Sequence, residues 1–147
     1  MIQLTTLGAT ELRRDGVDVR SVLSQPKRLA LLVYLRLAAP GGFVARERLM
    51  ALFWPESDAE RARNALRQSL HFLRRSLGED AVVSRSDREV GIGPGAVACD
   101  AVAFLEALEQ NRLEEAVDLY RGEFLSGFFL DDAPEVCLLY TSPSPRD

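Results

Sequence analysis

Seven residues with hydrogen-bonding side chains recur at helical spacing in the stretch SDAERARNALRQSLHFLRRSLG, Ser57 to Gly78: Arg63, Asn64, Arg67, Gln68, His71, Arg74 and Arg75. At about 100° per residue they share one arc of a helix. Ala59, Ala62, Leu66, Leu70, Leu73 and Leu77 occupy the opposite arc and form an apolar stripe suited to a core. Long donors on a rigid rod can reach phosphates and base edges in a DNA major groove. The same pattern also fits a basic helix face turned simply to solvent. Chemistry of other kinds finds less support. His71 is the single histidine, and Cys99 and Cys137 have neither metal-ligand nor disulfide spacing. Asp131 and Asp132 are adjacent, so their carboxylates point apart. No enzyme active site, no metal and no cofactor are expected.

The basic stretch carries its own helix punctuation. Ser57 and Glu60 have the spacing of a capping box. Asp58 and Glu60 place negative charge at the positive end of the helix dipole, Arg74 and Arg75 place positive charge at the other, and Gly78 supplies a stop. Ahead of it, Arg46 to Trp54 reads as a shorter helix with Leu49, Met50, Leu52 and Phe53 inward, closed by Pro55. Two helices joined by a tight turn at Pro55–Ser57 make a helix-turn-helix. Beyond Gly78, Ala81–Arg85 and Arg88–Ile92 read as strands around Ser86-Asp87, a hairpin that turns the arrangement into a winged helix. Arg85 and Arg88 on this wing could reach a flanking groove or only phosphate.

The remaining elements supply a scaffold. Ile2–Leu7 and Glu11–Val19 read as short strands, with turns at Gly8 and at Asp15-Gly16. Pro26 suits a first helical turn. Lys27–Ala39 is apolar nearly all round, so this helix is expected at the centre of a domain, ending at Pro40-Gly41-Gly42. Phe43-Val44 allows a brief strand. Gly91–Gly95 reads as a glycine-rich linker; no Lys-Ser/Thr follows, so it is not a phosphate loop. Asp100 is expected to cap a helix with Phe104, Leu105 and Leu108 inward. After a break at Asn111, Leu113, Ala116, Val117 and Tyr120 mark another. Two such helices cannot bury their faces alone. Phe124, Leu125, Phe128 and Phe129 add a further apolar cluster.

Composition separates the two parts. The 147 residues carry a formal net charge of −4. Residues 1–97 hold 15 Lys/Arg against 11 Asp/Glu, a net +4, and residues 98–147 hold 3 against 11, a net −8. A nucleic-acid footprint is therefore expected only in the first part. The longest apolar run is too short to cross a bilayer, no export leader is expected, and the expected compartment is the cytoplasm. The expected organisation is a winged-helix unit at 1–95, the start of a helical unit at 96–135, and a non-native or disordered tail at 136–147.

The run LALLVYLRLAAPGGFVARERLMALFWPESDAERARNALRQSLHFLRRSLG resembles the winged-helix domain of SARP-type bacterial transcriptional activators, which are related to OmpR-type DNA-binding domains. DAVAFLEAL, EEAVDLYRGEFLSGF and APE are similar to the opening of their bacterial transcriptional activator domain, an all-helical, TPR-like module. The resemblance implies an α+β fold: N-terminal strands, three helices and a C-terminal hairpin wing, then an all-α helical-repeat fragment. It implies Asn64, Arg67, Gln68, His71 and Arg74 facing the major groove, Arg75 nearer the backbone, and Lys27 and Arg28 on phosphates. It further implies homodimers on repeated sites in double-stranded DNA, and contact with RNA polymerase through the Trp54–Ser57 turn. Three departures stand out. Val44-Ala45-Arg46 lacks the usual Ser or Thr cap, so that helix is expected to fray. No receiver domain is expected ahead of the winged helix, and VCLLYTSPSPRD departs from the pattern and looks like translated adapter sequence. The reading is a sequence-specific DNA-binding transcriptional regulator, with a protein-interaction module as the alternative.

Overall fold

The computed structural model describes residues 2–37 and 42–125. Ala38 to Gly41, Phe128, Phe129, Asp131-Asp132, Cys137 and the 136–147 tail lie outside the described residues. The N-terminal strands follow the alternation. β1 (Ile2–Thr5) turns Ile2 and Leu4 into the core and pairs antiparallel with β2 (Glu11–Arg14). A tight turn at Asp15-Gly16, both with positive φ, returns the chain to β3 (Val17–Asp18). A four-residue helix, α1 (Arg20–Leu23), follows; its one buried residue, Val22, is too little periodicity to be legible.

α2 (Pro26–Leu37) begins at Pro26, as the proline predicts. Leu29, Ala30, Leu31, Leu32, Val33 and Leu35 are all buried, so this helix forms the centre of the molecule. β4 (Phe43–Ala45) leads into α3 (Arg46–Phe53), a short turn, and α4 (Ala59–Leu77). The cap of α4 corrects the expected one. Asp58, not Ser57, is the N-cap: its carboxylate accepts the Arg61 N–H at 2.8 Å, while Ser57 N–H donates to Trp54 O. The helix therefore starts one residue late for Glu60 to complete a box. Ala62, Leu66, Leu70, Leu73 and Leu77 are buried as expected, Ser69 is buried with them, and Ala59 in the first turn is exposed. Gly78, at φ +110, ends the helix in a conformation that side-chain-bearing residues rarely adopt.

β5 (Val82–Arg85) and β6 (Glu89–Ile92) form the expected hairpin, and β4 adds to its β6 side to make a three-stranded sheet, β4-β6-β5. The expected linker is different in kind. Gly91 belongs to β6, where a Cβ would stand 2.2 Å from Gly42 O, and a Cβ on Gly93 would stand 2.0 Å from Asp80 O. These glycines permit close backbone packing rather than slack. The chain then enters β7 (Val97–Cys99), which pairs parallel with β1 and completes a second sheet, β3-β2-β1-β7. Residues after 95 are thus continuous with the N-terminal sheet.

α5 (Asp100–Glu109) and α6 (Leu113–Leu119) pack against each other, with Ala107 and Ala116 buried. Asp100 does not cap α5, whose N-cap is Cys99 without a side-chain bond. Instead its carboxylate accepts Thr6 N–H and Thr6 Oγ1–H, both at 2.8 Å, and Leu7 N–H at 2.9 Å, tying α5 to the end of β1. Leu105 and Leu108 are not inward, being 57% and 45% exposed. Only Phe104 of that trio is half-buried, with its ring centroid 5.7 Å from Tyr120. Leu125 returns to the core and donates its N–H to Thr6 O. The described residues form a mixed α/β fold of six helices and two sheets.

Candidate nucleic-acid interface

α4 presents the basic row because its leucines are committed to the core. Arg63, Asn64, Arg67, Gln68, His71 and Arg75 are all exposed, and Arg67 donates to Asn64 Oδ1. Arg74 behaves differently. It is half-buried, donating Nε–H to Val82 O at 2.9 Å and an Nη2–H to Ser84 Oγ at 3.1 Å, so it fastens β5 to α4.

Each edge of the row is flanked by further cations. Around the helix, at about 100° per residue, Gln68 and Arg75 lie on the side of Phe72. The Arg28 guanidinium sits over that ring, 4.5 Å from its centroid. Lys27 Nζ lies 5.3 Å from the centroid of a Trp54 ring, next to the α3–α4 turn. Stacking on aromatic faces holds both cations near the protein surface. Arg63 and Arg67 lie on the other side, toward the hairpin. There an open cleft of about 690 Å³ runs between α3, α4 and the hairpin turn, lined by Arg46, Met50, Arg63, Arg67, Asp87 and Arg88 among others.

Of the two hairpin arginines, Arg88 is exposed at the turn. Arg85 is engaged: its Nε–H donates to Glu89 Oε1 at 2.8 Å and its guanidinium lies over Phe43, 4.5 Å from the centroid. The hydrogen bond from Arg85 holds the Glu89 carboxyl below the usual carboxylate range, and Glu89 raises Arg85 in return.

Two participants escape sequence reasoning. Arg46 opens α3 without a side-chain cap, yet its backbone N–H donates to Arg88 O at 2.8 Å, so the hairpin turn supplies the partner that local sequence lacks. Its Nη2 also donates to Ser84 Oγ at 3.2 Å, where Arg74 converges. Burial, reinforced by the charge of Arg74, lowers the pKa of Arg46, and Asp87 acts in the opposite sense. The signal for this pairing is long-range, since Arg46 and Ser84 are 38 residues apart.

Mycobacterium tuberculosis EmbR, solved in complex with a low affinity phosphopeptide, is similar in structure. The TM-score is 0.57 at 22% sequence identity, over 86% of this chain and 38% of EmbR. The fold is EmbR-like. The likeness is one of fold, and the chain spans well under half of EmbR's length. No protein-family model and no curated relative matches the sequence. Among the described residues, no helix is long and apolar enough to cross a membrane.

Proposed function

We propose that this chain is a SARP-like, sequence-specific DNA-binding transcriptional regulator, not an enzyme. Its α4 enters the major groove and the β5–β6 hairpin serves as the wing. The observation that carries this reading is the exposed row of Arg63, Asn64, Arg67, Gln68, His71 and Arg75 on a nineteen-residue helix whose other side is locked in the core. Asn64, Arg67, Gln68 and His71 read base edges. Arg75, Arg63, Arg88, Lys27 and Arg28 meet backbone phosphates, which set register and orientation. The EmbR-like fold and the SARP resemblance of the sequence support transcription regulation in the cytoplasm. The same resemblance supports dimers on repeated sites, activation, and RNA polymerase contact through residues 54–57.

The test is selection from a random duplex library by the whole chain, wild type beside Arg67→Ala. Enrichment of a repeated short motif that blurs in the variant is the expected result. Failure to enrich any motif, also in a tethered dimer, would move the protein-interaction reading to first place. One observation favours protein contacts for α5 and α6, the proposed opening of a TPR-like unit after the DNA-binding unit. Leu105, Leu108, Leu113, Val117 and Tyr120 are exposed on α5, α6 and the residue after, as in a helical repeat whose next layer stacks on it.

A further inference from the structure

We propose that Ser84, Arg46 and Arg74 form a receptor for one phosphate oxyanion where the hairpin meets α3 and α4, occupied in the DNA complex by a backbone phosphodiester. The choice of occupant rests on the regulator reading; the receptor itself rests on geometry. Arg46 Nη2 and Arg74 Nη2 both donate to Ser84 Oγ, at 3.2 and 3.1 Å. A hydroxyl has two lone pairs and one proton. With both lone pairs engaged, the Ser84 O–H must point away from the guanidinium groups, and no described residue accepts it. Arg46 Nε is buried and has no partner. Arg74 spends Nε–H on Val82 O and one Nη2–H on Ser84, and each guanidinium keeps further N–H groups unspent.

Neither arginine has an ion-pair partner among the described residues. Two cations therefore converge on one neutral oxygen, with Asp87 in the hairpin turn acting on Arg46 from a distance and Glu47 at the cleft wall. An incoming anion would meet the unspent N–H groups of two guanidinium groups that Ser84 holds together. That suits the several oxygens of a tetrahedral phosphate, and charge-assisted bonds of this kind are the stronger ones. The place also suits the occupant. It adjoins the cleft at the hairpin edge of the α4 row, beside Arg63, Arg67 and Arg88, where a strand backbone would run if the row faces the bases.

The experiment uses the whole chain and two probes. Inorganic phosphate is titrated against chloride at equal ionic strength while the Ser84 amide and the Arg46 and Arg74 Nε–H signals are followed by NMR. Duplex binding, random and selected, is measured from low to high salt. Wild type should show saturable shifts at these three residues, lost in Ser84→Ala. Arg46→Gln should reduce the log–log salt slope by about one on both duplexes alike. Ser84→Asp places a carboxylate between the arginines, so it should raise the melting temperature while abolishing the phosphate response. This variant keeps the test decisive if Arg46→Gln fails to fold. Phosphate shifts without any duplex binding would support the receptor and overturn its DNA occupant together with the regulator reading. Duplex binding with slope and titration unchanged in Ser84→Asp would overturn the receptor and leave that reading standing. A lowered melting temperature in Ser84→Asp would equally overturn it.

Discussion

Asp58 and Ser57 are neighbours with similar capping chemistry, yet only Asp58 accepts a hydrogen bond from the first turn of α4. Asp58→Ala should lower the unfolding free energy by about 1 kcal/mol in urea denaturation. Ser57→Ala should change it little, because Ser57 contributes its backbone N–H to the turn. Equal losses would mean that the two share the cap. The arginines of α4 divide in a similar way. Arg67→Ala or Gln68→Ala should relax base preference by about 1–3 kcal/mol, whereas Arg75→Ala should weaken cognate and random DNA alike. Arg74→Ala should act on stability as well, by about 1–3 kcal/mol, since it removes charge-assisted bonds to Val82 and Ser84. Comparing chemical denaturation with duplex titration for these four variants separates the roles. An Arg74→Ala protein of unchanged stability would return Arg74 to the exposed row.

At the scale of elements, the hairpin depends on contacts outside itself. Its partner strand β4 lies about forty residues earlier in the chain, and the hairpin turn closes the first turn of α3 through Arg46 N–H and Arg88 O. The first turn of α3 thus has a hydrogen-bond partner in the hairpin turn despite Ala45 at its N-cap. Gly91→Ala tests this assembly, because its Cβ would lie 2.2 Å from Gly42 O, a backbone atom with little freedom to retreat. A loss of about 1–3 kcal/mol in denaturant unfolding is expected. A variant as stable as wild type would show that β4 and β6 are less closely apposed.

For the whole molecule, the decisive contact is β7 against β1. A chain ending at residue 95 would lose β7, the Asp100 bonds to Thr6 and Leu7, and the buried Val97, Cys99, Ala101 and Leu125. Burial of one such large apolar side chain contributes about 1.5–3 kcal/mol. Residues 1–95 should therefore unfold at clearly lower urea than the full chain, by about 3 kcal/mol or more in extrapolated stability. Coincident transitions would show that the N-terminal sheet is complete without β7.

Local order was legible in the sequence because it repeats at the period of its element. The leucine stripe of α4 fixes which side is buried, and with it the exposure of Arg63, Asn64, Arg67, Gln68, His71 and Arg75. The all-round apolar run places α2 at the centre, and Asp15-Gly16 marks the first hairpin. Pairings between distant segments leave no period to read. α1 is too short to show one, β7 joins a strand almost a hundred residues away, and Asp100 finds Thr6 rather than its own helix. Leu105 and Leu108 look inward by spacing, but burial needs a facing surface, and on α5 and α6 it is Ala101, Ala107 and Ala116 that are buried instead. Arg74 reads as a groove residue in the sequence and Arg46 only as the start of a helix; folding alone brings Ser84 between them, because a hydrogen bond requires proximity that spacing along a chain cannot supply.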